Sequence, residues 1–249
     1  PKKILSKISR AKGDAQTVSQ YKESASNFPD KVTGEVWGFY EETLRAEHAL
    51  DFDDLLVKTL FLIQNYPDVK NALQNKYRYI HVDEYQDTNA VQFSTAKQLA
   101  GTKQNICVVG DIDQNIYSWR GADIKNVLQF EREFVGAKTI LLEENYRSTQ
   151  TIIAASNEVI EKNKNRVAKA VFTSNAEGEK ITLYAAMTAI DEAEYIALTA
   201  QSLISEGASP TDIAVLYRTN FQSRVLEEAF LNFAIPYQLL GTKFYERKE

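Results

Sequence analysis

The chain has 249 residues, of which 44% are hydrophobic and 25% charged, and a formal net charge of −5. That length accommodates one large or two ordinary globular domains. No apolar run reaches the roughly 18 residues of a membrane span, which excludes a helical membrane protein. The single cysteine, Cys107, excludes an internal disulfide and predicts a reducing, cytoplasmic setting; with only two histidines besides, a structural zinc site lacks ligands. The acidic balance gives no general attraction to nucleic acid, so any such binding has to come from local patches.

In chain order, PKKILSKISRAKG is basic but has no apolar core, so it does not read as a secretory signal, and a start at Pro1 points to a trimmed or partial chain. Residues 1–48 read as helical and polar, with Asp30 as the cap of an amphipathic run from Lys31 to His48. LDFDDLLVKTLFLIQNY (50–66) predicts another helix, stopped by Pro67. Short apolar runs follow at Tyr79–Val82, Ile106–Val109 and Thr139–Leu142, alternating with helical stretches near 88–100 and 123–134. That alternation predicts a parallel sheet with helical crossovers. A second set comprises helices near 149–164, 190–206 and 221–233 and strands at 181–186 and 213–217. The intervening 163–180 is polar and reads as a loose connection in which Ala170–Phe172 pairs briefly. The fold expectation is α/β, two units joined near 143–149 and preceded by a helical segment.

Each of the first three strands runs into polar residues. YIHVDEYQDT (79–88) ends in Asp83 and Glu84. In open α/β sheets ligands bind beyond the carboxyl ends of strands, where one carboxylate holds magnesium and its neighbour orients or deprotonates a water. The alternative is that these acids and Asp87 cap the next helix. ICVVGDIDQNIYSWRGAD (106–123) places Gln114, Tyr117, Trp119 and Arg120 in one loop; closely spaced aromatics and an arginine suit stacking of single-stranded bases, while the alternative makes Tyr117 and Trp119 packing residues. LLEENYRST (141–149) sets Tyr146 beside Arg147, able to stack a base and pair a phosphate, or else Arg147 pairs with Glu143 or Glu144 at the surface.

Together, DEYQDT, GDIDQNIYSWRGAD and LLEENYRST closely resemble motifs II, III and IV of superfamily-one DNA helicases of the UvrD/Rep/PcrA group. LDFDDLL (50–56), IAVLYRTNFQSR (213–224) and GTKFYERKE (241–249) resemble further segments of that group, so the likeness covers essentially the whole chain. The resemblance implies two RecA-like domains, both incomplete, with ATP in the cleft between them and single-stranded DNA across the top. Residues 1–48 would be part of an inserted helical 1B-like subdomain, 49–145 part of the first RecA-like domain and 146–249 part of the second. By motif match, Asp83 coordinates magnesium, Glu84 activates the hydrolytic water, Gln114 senses the γ-phosphate, Arg147 is an arginine finger and Tyr146 stacks on adenine. Tyr117, Trp119 and Arg120 grip DNA, joined by Phe52, Arg218 and Asn220. ATP and Mg²⁺ are the implied cofactors. Single-stranded DNA, duplex junctions and the remaining parts of the same helicase are the implied partners, with 3′–5′ translocation.

A phosphate-cradling G-x-x-x-x-G-K-[ST] loop is the expected partner of the acidic strand, and the sequence has no Gly-Lys dipeptide. The expectation is that motif I lies before Pro1, that motifs V and VI follow Glu249, and that 1–249 alone is inactive. Gly241-Thr242, Ile112 and Asn115 depart slightly from the group's pattern. Two rival readings are a metal-dependent nuclease built on Asp83, Glu84, Asp111 and Asp113, and a non-catalytic nucleic-acid-binding module. His81 and His48 read as structural, since magnesium prefers oxygen ligands and a cation suits a helix C-terminus.

Overall fold

Polar side chains that accept backbone N–H groups set several of the helix starts in the computed structural model, which describes residues 1–163 and 169–240. Helices α1 (Lys2–Gly13), α2 (Val18–Ser24) and α3 (Phe28–Ala46) make up the N-terminal segment. Thr17 caps α2 in a reciprocal capping box with Gln20, and Asn27 caps α3 by accepting the Asp30 N–H at 2.9 Å. Asp30 is therefore a first-turn residue rather than the expected cap. Its carboxylate instead receives Asn27 Nδ2 at 2.7 Å and the Lys7 ammonium. Ile8, Ala11 and Trp37 form a small buried core, with Tyr21 edge-on to Trp37 at 5.6 Å.

Helix α4 (Phe52–Asn65) begins at a capping box made by Asp51 and Asp54. Pro67 ends it and also starts the next helix, α5 (Pro67–Lys76), where its missing N–H is no loss. Lys12 of α1 is buried against this junction. Its Nζ lies 2.7 Å from Glu41 of α3, 2.8 Å from Asp51 and 3.0 Å from Asp54. Burial pushes the Lys12 pKa down, but the bonds to Asp51, Glu41 and Asp54 outweigh it, leaving the ammonium firmly charged. The three helices are thus pinned to one another by a buried cation.

Strands β1 (Ile80–Val82) and β2 (Ile106–Val108) pair in parallel, Ile80 opposite Ile106 and Val82 opposite Val108. Helix α6 (Ala90–Ala100), capped by Asn89, crosses between them, as a parallel pair requires. Two short turns, α7 (Lys125–Leu128) and α8 (Phe130–Glu133), stand where one helix was expected near 123–134. Helix α9 (Gln150–Ile160) follows. The expected pairing near Ala170–Phe172 occurs as a single parallel bridge between Glu144 and Phe172.

Thr139–Leu142, 181–186 and 213–217 are not in strands, contrary to expectation, and the described residues contain one two-stranded sheet. A strand needs a ladder partner, and none of the described residues pairs with these segments. Incomplete α/β domains, helical with a small parallel sheet, are the architecture of this chain.

The chain divides into two compact units, 1–178 and 179–249. The first extends to 178 because 169–177 folds back on the start of α9. The Gln150 N–H donates to the Ala176 carbonyl and the Thr151 N–H to that of Glu177, each at 3.1 Å. In the second unit, α10 (Ala189–Ser205) presents Ala193, Ala197 and Ala200, a stripe small enough for α11 (Ser223–Asn232) to bring Ala229 against it. Among the described residues no helix is long and apolar enough to cross a membrane.

Candidate functional site

The β1 exit is built around a backbone reversal. Glu84 adopts a left-handed conformation, φ 49° and ψ 41°, and opens a tight turn over Tyr85–Asp87. That reversal leaves Asp83 and Glu84 exposed while Tyr85 and Gln86 point inward and are fully buried. Tyr85 packs edge-on against Phe130 at 5.6 Å, and burial, with Glu133 nearby, pushes its phenol pKa up to about 12. The carboxylates are not helix caps. Asn89 takes that role for α6, and the Glu84 N–H is satisfied by the Asp83 carboxylate at 2.9 Å. Both acids line an open cavity of about 440 Å³ whose wall includes Leu55, Leu56, Ile80 and Val82.

Gln86 joins this turn to the next. Its amide nitrogen donates to Glu84 at 2.7 Å, its amide oxygen accepts the Asp111 N–H at 2.9 Å, and its carbonyl receives Asn115 Nδ2. The two strand-end turns therefore share one buried side chain. Gly110 makes the approach possible: a Cβ there would sit 2.6 Å from Gln86 Oε1 and 3.1 Å from the Tyr85 nitrogen. Gln86 escaped the sequence reading. Its only local signal was an amide lodged between a carboxylate pair and a helix cap.

Beyond β2, Asp111 organises the loop. It accepts the Asp113 N–H at 3.0 Å and Gln114 Nε2 at 2.9 Å, holding an otherwise exposed Gln114. Burial raises the Asp111 pKa, but bonds from Lys169, Gln114 and the Asp113 N–H bring it below the usual carboxylate range. Tyr117 and Trp119 follow with ring centroids 6.3 Å apart, tilted by 44°. Trp119 is 63% exposed, so at least this ring is not spent on a core. The Arg120 side chain lies outside the described residues.

At the third segment, Asn145 accepts the Arg147 and Ser148 N–H groups at 3.0 and 2.8 Å, forming an Asx turn. Tyr146 is 77% exposed, and its hydroxyl donates to Glu144 at 2.8 Å. The surface ion pair considered for Arg147 is not formed among the described residues. Glu143 instead receives the Ala170 N–H, and Glu144 receives Ser174 Oγ. Phe52, at the first position of α4, is 91% exposed. Arg218 and Asn220 are exposed in the second unit. GTKFYERKE (241–249) lies outside the described residues.

The geometry thus unites Asp83 and Glu84 with Gln114 through Gln86 and Asp111. Gln114, Tyr146 and Arg147 do not line the cavity that holds the two acids. No group of three or more His, Cys, Asp or Glu residues able to hold a metal occurs among the described residues. His81 is exposed on β1, and His48 lies past the end of α3 with φ 49°.

Comparison with known proteins gives an independent line. A family model for the UvrD/REP helicase N-terminal domain matches residues 1–135, and one for the UvrD-like helicase C-terminal domain matches residues 140–249. The chain is 47% identical over 250 aligned positions to proteins described as ATP-dependent DNA helicase PcrA. Two of these are from Staphylococcus aureus (strain NCTC 8325 / PS 47) and Staphylococcus epidermidis (strain ATCC 12228 / FDA PCI 1200). The match covers 100% of this chain and 34% of each relative, so the chain spans about a third of their length.

Proposed function

From the premise that the chain belongs to the UvrD/REP helicase family, we propose that it is the central part of an ATP-dependent 3′–5′ DNA helicase that couples ATP hydrolysis to movement on single-stranded DNA and at duplex junctions. The observation that carries the proposal is the buried bridge from Glu84 through Gln86 to Asp111 and Gln114, in a loop that continues to Tyr117 and Trp119. A nucleotide-facing carboxylate and two candidate base-stacking rings are thereby connected through hydrogen bonds and a short stretch of chain, as coupling between hydrolysis and grip demands.

Asp83 fits a magnesium site. It is an exposed carboxylate at a strand end, and magnesium is commonly held by one or two carboxylates plus substrate phosphates. Bound there with ATP, the ion would neutralise developing phosphate charge. Glu84 orients and deprotonates the attacking water, and the Gln86 amide bonded to its other side fixes its direction. Gln114, steered by Asp111, reads the γ-phosphate. Arg147, with no ion pair among the described residues, is available as a finger for the transferring phosphoryl group, and Tyr146 as a platform for adenine. Trp119, Tyr117, Arg120 and Phe52 hold DNA, with Arg218 and Asn220 as further contacts. In this reading 1–48 belongs to an inserted helical subdomain, and 49–145 and 146–249 belong to the two nucleotide-binding lobes.

Residues 1–249 contain no Gly-Lys dipeptide from which to build a phosphate loop, so 1–249 alone is expected to show no ATP turnover. The test is steady-state ATP hydrolysis with single-stranded DNA. The whole protein should be active and Glu84→Gln should lower kcat by about 10²–10⁴. Turnover by 1–249 alone, or an undiminished Glu84→Gln enzyme, refutes the assignment.

A further inference from the structure

Lys169 sits in the returning segment that braces the Arg147 turn, yet its ammonium reaches the other turn. Nζ pairs with Asp111 Oδ1 and stands 4.0 Å from Asp113 Oδ2. The Lys169 and Asp113 side chains are only 17% and 5% exposed, so solvent screens the pairing incompletely. One residue further on, the Ala170 N–H donates to Glu143 Oε1 at 3.1 Å. Two residues beyond that, Phe172 exchanges backbone bonds with Glu143 and Asn145, at 3.0 and 2.7 Å. Asn145 is the residue whose side chain builds the Arg147 turn. At the other end, the carboxylate that takes Lys169 on one oxygen takes Gln114 Nε2 on the second, at 2.9 Å.

We propose that Lys169 is a positioning residue that couples the two turns, holding Asp111 so that its free oxygen aims the Gln114 side chain while its backbone stays fastened to the turn that presents Arg147. The inference rests on the reading of Gln114 and Arg147 as phosphate-facing groups. Displacement of the Arg147 turn pulls on Lys169, and the pull arrives at Gln114 through one shared carboxylate. Charge-assisted bonds of this kind are about twice as strong as neutral ones, which suits a link that must transmit movement without breaking.

In the whole protein with single-stranded DNA, Lys169→Met should lower kcat for ATP about tenfold, leaving KM and DNA affinity within about twofold. Lys169→Arg should retain most of the rate, since a guanidinium can still pair with the Asp111 carboxylate. A wild-type kcat in Lys169→Met overturns the proposal. So does a loss that arginine does not repair. A second measurement needs no turnover: in the 249-residue chain, Lys169→Met should accelerate amide exchange of Asp113, Gln114 and Asn115 about tenfold while α6 keeps its rate. Unchanged exchange there overturns the link. If the wild-type whole protein hydrolyses no ATP, the helicase reading fails, and the exchange result still decides whether Lys169 holds the loop.

Discussion

Replacing Lys12 with methionine removes a buried ammonium from three carboxylates while preserving most of the side chain's volume. Glu41 would keep the Trp37 N–H at 3.0 Å and Lys58 at 3.8 Å, and Asp51 would keep the Tyr40 hydroxyl at 3.1 Å. Asp54 fares worst. It is 2% exposed, and among the described residues it keeps the long 3.4 Å contact from the Asp51 N–H. Breaking a buried ion pair by removing one partner costs about 3–5 kcal/mol, a large share of a typical stability of about 5–15 kcal/mol. In urea that corresponds to a midpoint lowered by about 1–2 M, read by circular dichroism.

The pH dependence of this loss has a definite sign. Burial pushes the Glu41 and Asp51 carboxyls up, but Lys12 and their other donors hold them below their ordinary values of 4.5 and 3.8. Their contribution is therefore present above those values and fades as pH falls through the lower folded ones. Lys12 is raised above 10.5, so its contribution is complete below that value and fades only as pH climbs through the higher folded one. The difference between wild type and Lys12→Met should stay flat from about pH 6 to 9 and shrink below about pH 4.5. An unchanged midpoint at pH 7, or a difference that grows on acidification, refutes the reasoning.

Gly110→Ala should destabilise the chain by about 1–3 kcal/mol in thermal unfolding, because the added methyl meets Gln86 Oε1 and the Tyr85 backbone. Tyr85→Phe should be neutral or stabilising by up to about 1–2 kcal/mol in the same assay, since the Tyr85 hydroxyl is buried with no hydrogen-bond partner among the described residues. Trp119→Ala in the whole protein should weaken binding of a fluorescent single-stranded oligonucleotide by about 1–3 kcal/mol, measured by anisotropy.

The legible parts of the fold were those that local chemistry decides. The runs at 50–66, 88–100, 149–164 and 190–206 each became a helix shifted by a few residues, and β1 and β2 formed because each had the other as partner. Ile140 and Leu142 show the opposite case: they carry strand chemistry but are about four-fifths exposed, because strand character is completed only by a neighbouring ladder. Helix α5, PDVKNALQNK, has only a short apolar stripe of Val69, Ala72 and Leu73, and its proline reads as a stop rather than a start. At the site, strand ends and carboxylates were visible in the sequence. Lys12 and Lys169 were not: the partners of Lys12 lie as far as 42 residues away, and the pair between Lys169 and Asp111 joins segments that nothing local connects.

Gln86 has a final consequence for what that position tolerates. Its side chain gives a proton at one end, to Glu84, and takes one at the other, from Asp111. Glutamate, nearly identical in shape, would turn an oxygen toward an existing anion; leucine would satisfy neither end; asparagine lacks a methylene of reach. Residue 86 therefore requires polarity reversed along a single amide plane, a requirement that no scale of size or hydrophobicity expresses.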